Sequence, residues 1–200
     1  MSTIPLNLET DVVVLPPPAG AHTTLEQALK ERRSGRAFRD DALPLETLSA
    51  LLWAGFGINR PESAGRTAPS AHNWQEIDVF AVLQEGAYRY DAQAHRLLLV
   101  KAQDLRGLTG MQDFVATAPL NLVYVADFNR MPDAQPEERH FLAGADAGCI
   151  AQNVYLFCAS AGLATVVRGL INRAELAAAL GLSKTERIAL AQTVGYPAAA

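Results

Sequence analysis

Side chains that perform chemistry unaided are scarce in this 200-residue chain, and each scarcity removes a class of function. There are two cysteines, Cys149 and Cys158, nine apart in an apolar helical stretch. At about 100° per residue they fall on roughly opposite faces and cannot bridge each other, and no basic residue near either favours a reactive thiolate. Both are expected in the core, and so few thiols suit a reducing cytoplasm. The four histidines, His22, His72, His95 and His140, are scattered. Without a ligand pair at helical or CxxC spacing they argue against a metal site. Ser70 and His72 lie two apart, on one side of an extended strand, but no GxSxG elbow accompanies them. Neither GxGxxG nor a GxxxxGKS or GxxxxGKT loop occurs, so neither a Rossmann dinucleotide site nor a P-loop is signalled. No repeat or low-complexity tract stands out. The first twenty residues lack a basic n-region and an apolar run of signal length, so nothing there directs export; with Pro16-Pro17-Pro18 they read as an extended arm.

What is present begins with apolar bulk. Half of the residues are hydrophobic, enough for the core of one domain or of one protomer of an intertwined dimer. The formal net charge is −4, yet Lys30-Glu31-Arg32-Arg33-Ser34-Gly35-Arg36-Ala37-Phe38-Arg39 gathers five cationic side chains against one carboxylate. A nucleic-acid binder spreads basic charge along a face; concentrated in one turn of an acidic chain, it fits a single small anion. Residues 25–29 read as a short helix capped by Thr23 or Thr24, so the arginines sit at its exit, broken by Ser34-Gly35. Arginine offers a planar fork of donors matched to phosphate oxygens, and the Ser34 hydroxyl adds another. The plain alternative is a solvated basic helix end, favourable against the helix dipole.

Further along, Leu45, Leu48, Leu51, Leu52 and Phe56 recur at three- and four-residue steps and predict an amphipathic helix. Residues 57–75, rich in glycine, proline and hydrogen-bonding side chains, read as a long structureless loop, which in a compact domain is usually functional. Within it His72 is expected to be solvated and Trp74 to anchor the core. Period-two patterning over 77–83, 87–91 and 95–100 predicts an antiparallel meander. Residues 104–117 read as broken helix, 119–126 as a buried strand, and 127–138, with two prolines, as a polar excursion able to form a mobile lid. The stretch 141–163 is helical in propensity and apolar on almost every face, which predicts burial all round. Asp146, Gln152 and Asn153 near its middle argue against a membrane span. Gly144 and Gly148 would let a second backbone approach, favouring a dimer core. A strand over 164–167, a helix over Arg173–Leu180 ending at Gly181, and a strand over 187–194 close the chain. The order predicts an α+β fold with an antiparallel-rich sheet packed on helices.

Anion-binding arginines, an amide- and hydroxyl-rich loop and no reactive side-chain set together imply a phosphate-bearing cofactor that carries the reaction. Four motifs extend that reading. Arg32-Arg33-Ser34-Gly35-Arg36-Ala37-Phe38 resembles the opening signature of the FMN-dependent nitroreductase family, and Ala68-Pro69-Ser70-Ala71-His72-Asn73-Trp74-Gln75 resembles its second. The helix through Asp146, Gln152-Asn153 and Ala161-Gly162-Leu163, followed by Val166-Val167-Arg168-Gly169, looks like the family's central dimer helix and flavin-edge strand, and Val194-Gly195-Tyr196-Pro197 like its closing element. The arm and meander look most like the compact branch that includes SagB-type oxidases of azoline peptide maturation. The resemblance implies a nitroreductase-like fold over 1–200, forming a homodimer with two FMN at its interface. NADH or NADPH and a small acceptor would act in turn over the flavin. It further implies that Arg32, Ser34 and Arg36, with the Arg33 backbone, hold the phosphate, ribityl chain and pyrimidine edge. Pro69, Ser70, Ala71 and Asn73 would reach the partner's flavin, Gln112 would contact its polar edge, and Val167, Arg168 and Gly169 would run beside it, with a backbone amide at flavin N5. Many family members carry a Lys or Arg pair shortly after the closing element, where this chain has Ala198-Ala199-Ala200, so the N-terminal arginines with one of Arg60, Arg66 or Arg168 are expected to supply that charge, the alternative being weaker FMN binding. The implied activity is reduction of nitroaromatics or quinones. The alternatives are an azoline dehydrogenase and a flavin-binding protein without turnover, with neither nucleic acid nor membrane as partner.

Overall fold

The computed structural model describes residues 11–20 and 23–198. The described part of the arm is not free: β1 (Val12–Val14) pairs antiparallel with the strand at residues 96–101, Val13 opposite Leu97. Pro16 O then accepts from Ser49 Oγ at 2.5 Å and from His95 Nε2 at 3.0 Å, while Tyr90 OH donates to His95 Nδ1 at 2.9 Å. His95 is thereby a structural residue that ties arm, helix and meander together.

Thr24 caps α1 (Leu25–Glu31), its side chain accepting from Gln27 N at 3.2 Å. The apolar spacing after Pro44 yields α2 (Leu45–Phe56) as predicted. Residues 57–75 differ from expectation, because much of this segment is folded. β2 (Ile58–Arg60) and β3 (Gly65–Arg66) pair antiparallel around a 3-10 turn at Pro61–Ser63, and Arg60 Nη2 closes the hairpin onto Arg66 O at 3.1 Å. Stabilised by polar and backbone bonds, it has no apolar period to read.

The meander forms as predicted: β4 (Ile77–Val82), β5 (Ala87–Asp91) and β6 (Arg96–Lys101). β7 (Leu120–Asp127), α3 (Pro136–Ser160), β8 (Ala164–Arg168), α4 (Arg173–Leu180) and β9 (Glu186–Gly195) follow. Seven strands make one sheet in the order β1-β6-β5-β4-β7-β9-β8, every neighbouring pair antiparallel. Alternation along the strands builds two cores. Ile77, Val79, Leu120, Leu122 and Tyr124 pack towards α2 and α3, while Phe80, Val82, Val123 and Val125 meet Leu176 and Leu180 of α4 on the other face. β7 is covered on both faces, which explains its unbroken apolar run.

Two expectations are not met within one chain. The lid over 127–138 is pinned at its start: Arg130 donates to Gln75 O at 2.8 Å and pairs with Asp78 at 2.6 Å, and Met131 is fully buried. Its polarity serves an ion-pair staple. α3 buries only one side, from Ala143, Asp146 and Ala147 to Tyr155 and Cys158, and leaves a stripe of Phe141, Ala145, Cys149 and Gln152 exposed. Cys149 is therefore exposed within one chain, while Cys158 is buried as expected. Among the described residues, no helix is long and apolar enough to cross a membrane.

Candidate functional site

The basic turn forms one side of a cleft of about 630 Å³, lined by Lys30, Arg32, Arg33 and Arg36 with Glu31. Tyr155 and Cys158 of α3, Ala164 and Thr165 of β8, and Pro197-Ala198 complete the walls. The turn is stitched to the edge strand: Gly35 N donates to Thr165 O at 2.9 Å. A Cβ at Gly35 would come within 3.0 Å of Ala164 Cβ, so glycine permits this close approach. Arg39 N donates to Tyr196 O at 2.9 Å and Ala198 N to Ala37 O at 3.1 Å, which brings the closing element beside the arginines.

Tyr155 joins the two walls. Its hydroxyl accepts from Val167 N at 2.9 Å and lies 2.9 Å from Ser34 Oγ, and its ring carries the Arg32 guanidinium 5.2 Å from the centroid. Sequence reasoning missed this residue, although a phenol within an apolar helix was a usable signal, since a buried tyrosine hydroxyl seeks a partner. Cys158 is no nucleophile: burial pushes its thiol pKa far up. Thr165 O and Val167 N both point away from β9, as alternate residues of an edge strand do.

Arg168 turns the other way. It is 5% exposed, and its Nε donates to Thr193 Oγ1 at 3.0 Å, Nη1 to Thr109 O at 2.8 Å and Nη2 to Asn121 Oδ1 at 2.9 Å. All these partners are neutral, and burial lowers its pKa to about 10, which still leaves it charged at pH 7. A Cβ at Gly110 would collide with this guanidinium. Gln112, half-buried, directs Oε1 at Arg168 from 3.4 Å, so its amide nitrogen is the group left to donate elsewhere. Arg66 donates to Gln75 Oε1 at 2.8 Å and Phe56 O at 3.2 Å. With Arg60 committed to its hairpin, none of these three arginines adds charge to the cleft within one chain, whereas Lys30 does. Val167 is half-buried and Gly169 exposed beyond the end of β8.

Pro69, Ser70, Ala71 and Asn73 form a second group, and none of them lines the cleft. Here His72, Asn73 and Gln75 all hold positive φ, at 49°, 55° and 48°. Such backbone costs about 1–3 kcal/mol per residue and persists only where its surroundings enforce it. Ser70 Oγ accepts from Gln75 N at 3.0 Å, and Ala71 N donates to Asp146 Oδ2 of α3 at 2.8 Å. His72 is exposed and stacks on Trp74 with centroids 4.5 Å apart; Trp74 is only half-buried, supporting the loop rather than anchoring the core. Behind the loop lies a residue the sequence did not flag. Glu76 is fully buried with both carboxyl oxygens unpartnered, and burial first, with the nearby Asp146 adding to it, pushes its pKa up to about 7.

Asp146 and Tyr155, the two anchors on α3, are nine residues apart, which is half a turn around the helix and roughly 13 Å along it. They flank the buried face on opposite sides, with the exposed stripe closing the circle.

A model of the Nitroreductase family matches residues 29–196. The chain belongs to the nitroreductase family. The match spans the basic turn, the strained loop, α3 and the closing element as far as Tyr196, and membership makes the protein an oxidoreductase. A nitroreductase-like protein of Methanocaldococcus jannaschii is 29% identical over 155 residues, covering 72% of this chain and 78% of that one. The crystal structure of a nitroreductase-like protein from Ralstonia eutropha JMP134 superposes with a TM-score of 0.92 at 45% identity, over 98% of this chain and 93% of that one. A chain of the Escherichia coli microcin synthetase McbBCD complex shares the fold, with a TM-score of 0.75 at 22% identity, over 100% of this chain and 84% of that one.

Proposed function

We propose that this family member is an FMN-dependent oxidoreductase acting as a homodimer, in which NADH or NADPH and a nitroaromatic, quinone or similar small acceptor use the flavin in turn. The observation that carries the reading is the cleft itself. Its four cations, the Ser34 hydroxyl beside them and its volume, within the range of cofactor sites, suit a phosphorylated ligand. Arg32, Ser34 and Arg36 would hold the phosphate and ribityl chain, with Lys30 adding a fourth cation beside them. Gln112 would offer its amide nitrogen to the ring's polar edge. Val167 and Gly169 would run beside the ring. Gly169 N, next in the outward series after Val167, is the candidate for N5, because Arg168 lies opposite Ala191 and faces β9. Bound there, the flavin supplies the electron-transfer chemistry that no side-chain set of this protein provides.

The homodimer rests on α3. Its two anchors hold the basic turn and the strained loop on opposite flanks, so one chain keeps these groups apart. Its exposed stripe offers Phe141 at 75% exposure, and a Cβ at Gly144 or Gly148 would meet nothing within 4 Å. A second copy on that stripe would bring Pro69, Ser70, Ala71 and Asn73 to the partner's flavin. Two unpaired thiols fit a cytoplasmic setting. A second reading, oxidation of azoline rings in a modified peptide, is favoured by the fold shared with the microcin synthetase chain over the whole length. Steady-state kinetics discriminate. Parallel double-reciprocal lines for NAD(P)H against nitroaromatic or quinone acceptors are expected. Bound flavin with no NAD(P)H oxidation under any acceptor would instead leave a flavin carrier.

A further inference from the structure

Resting on the FMN reading above, we infer that Tyr155 is a positioning residue that fixes the Ser34 hydroxyl as a hydrogen-bond donor to the flavin's phosphate. It would thereby set the preference for FMN over riboflavin.

The direction follows from proton bookkeeping. Val167 N carries the hydrogen of its contact with Tyr155, so the phenol oxygen is the acceptor there, at 2.9 Å. The phenol's own hydrogen then needs an acceptor, and Ser34 Oγ, also at 2.9 Å, is its one hydrogen-bond partner besides Val167 N among the described residues. Tyr155 is 7% exposed, so water is a poor substitute. With Tyr155 donating, Ser34 accepts, and its own hydrogen is free to point outwards. The series runs from the Val167 amide through the phenol to the serine and ends on a donor.

That end lies between Arg33 and Gly35, both lining the cleft, and beside Arg32, whose guanidinium the same tyrosine ring supports. The Gly35 amide is already committed to Thr165 O. Arg32, Arg33, Arg36 and an oriented Ser34 therefore present hydrogens only, and Glu31, the carboxylate in the lining, is engaged by Gln27 Nε2 at 2.5 Å. Such a set satisfies a phosphate, which has no hydrogen to place, better than a terminal hydroxyl, which does. Because Val167 belongs to β8, the same bond also caps an edge amide and fixes the distance between the phosphate end and the strand proposed to run beside the ring.

The test is titration of FMN and of riboflavin into the full chain stripped of flavin, followed by fluorescence quenching, for wild type, Tyr155→Phe, Ser34→Ala and the double variant. Tyr155→Phe keeps the ring beneath Arg32 and is expected to weaken FMN roughly five- to tenfold while leaving riboflavin within about twofold. Ser34→Ala, at an exposed position, is expected to lose at least as much, and the double variant no more than Ser34→Ala alone. Equal losses for both ligands would make Tyr155 merely structural and overturn the inference, as would unchanged FMN affinity or losses that add in full. Wild-type protein that binds riboflavin as tightly as FMN would overturn the phosphate reading of the cleft, and this inference with it.

Discussion

At the scale of single residues, the account rests on charges whose surroundings differ. Arg36 is exposed at the mouth of the cleft, so Arg36→Ala should fold normally and weaken FMN by about 1.5–3 kcal/mol, ten- to a hundredfold, in an equilibrium titration. An unchanged affinity would remove Arg36 from the phosphate site. Glu76 makes a prediction about pH. Its folded pKa of about 7 lies above the ordinary glutamate value of about 4.3, so the folded state holds the proton more tightly than the unfolded chain does. The stability this contributes is complete below about pH 4.5 and is lost as pH rises through 7, on the order of 3 kcal/mol in all. Thermal unfolding of Glu76→Gln should be less sensitive to pH between 5 and 8 than that of the wild type, with the variant the more stable at pH 8. Equal pH dependence in both would exclude Glu76 as the titrating group. Of these residues, the arginines were legible in the sequence because they cluster in ten positions. Tyr155, Glu76 and the inward turn of Arg168 were not, because their partners lie tens of residues away and no local period marks them.

At the scale of elements, α3 does two things at once: it fills the core along one face and spaces the two functional segments along its flanks. Gly148 lies between those flanks, and its missing side chain is needed by nothing in its own chain. Gly148→Glu should therefore leave the helix intact or gain about 0.5–1 kcal/mol of helix propensity, while a buried carboxylate would prevent a second copy from docking. Light scattering should report a monomer with wild-type circular dichroism, and an unchanged dimer would show that this stripe is not the seam. Elements with a strong apolar period, such as α2, β4 and β7, were readable to within a residue or two. The β2–β3 hairpin and the pinned segment after β7 were misread as loop and lid. Both are held by arginine side chains, Arg60 and Arg130, bonding to backbone carbonyls, and polar composition alone does not separate such a staple from a solvated loop.

At the scale of the whole molecule, an acidic chain folds so that one concentrated patch of positive charge ends at a cleft, held by a tyrosine to the edge of the central sheet. The α+β class and the meander followed from the order of periodic segments, whereas the strand order of the sheet, with β1 of the arm at its edge, did not. Only the family resemblance implied that the strained loop serves the partner's flavin; within one chain the basic turn and that loop lie on opposite flanks of the helix between them, a separation that no local pattern in the sequence marks. That separation is why the proposed active unit is two chains, with the anion at each cleft belonging to a flavin that both subunits touch. The most direct test is the visible spectrum of the purified protein, before and after NADH or NADPH is added without oxygen. The account predicts a yellow protein with flavin absorbance that bleaches on addition of the nucleotide and returns with an acceptor. A folded protein that remains colourless in excess FMN would contradict it.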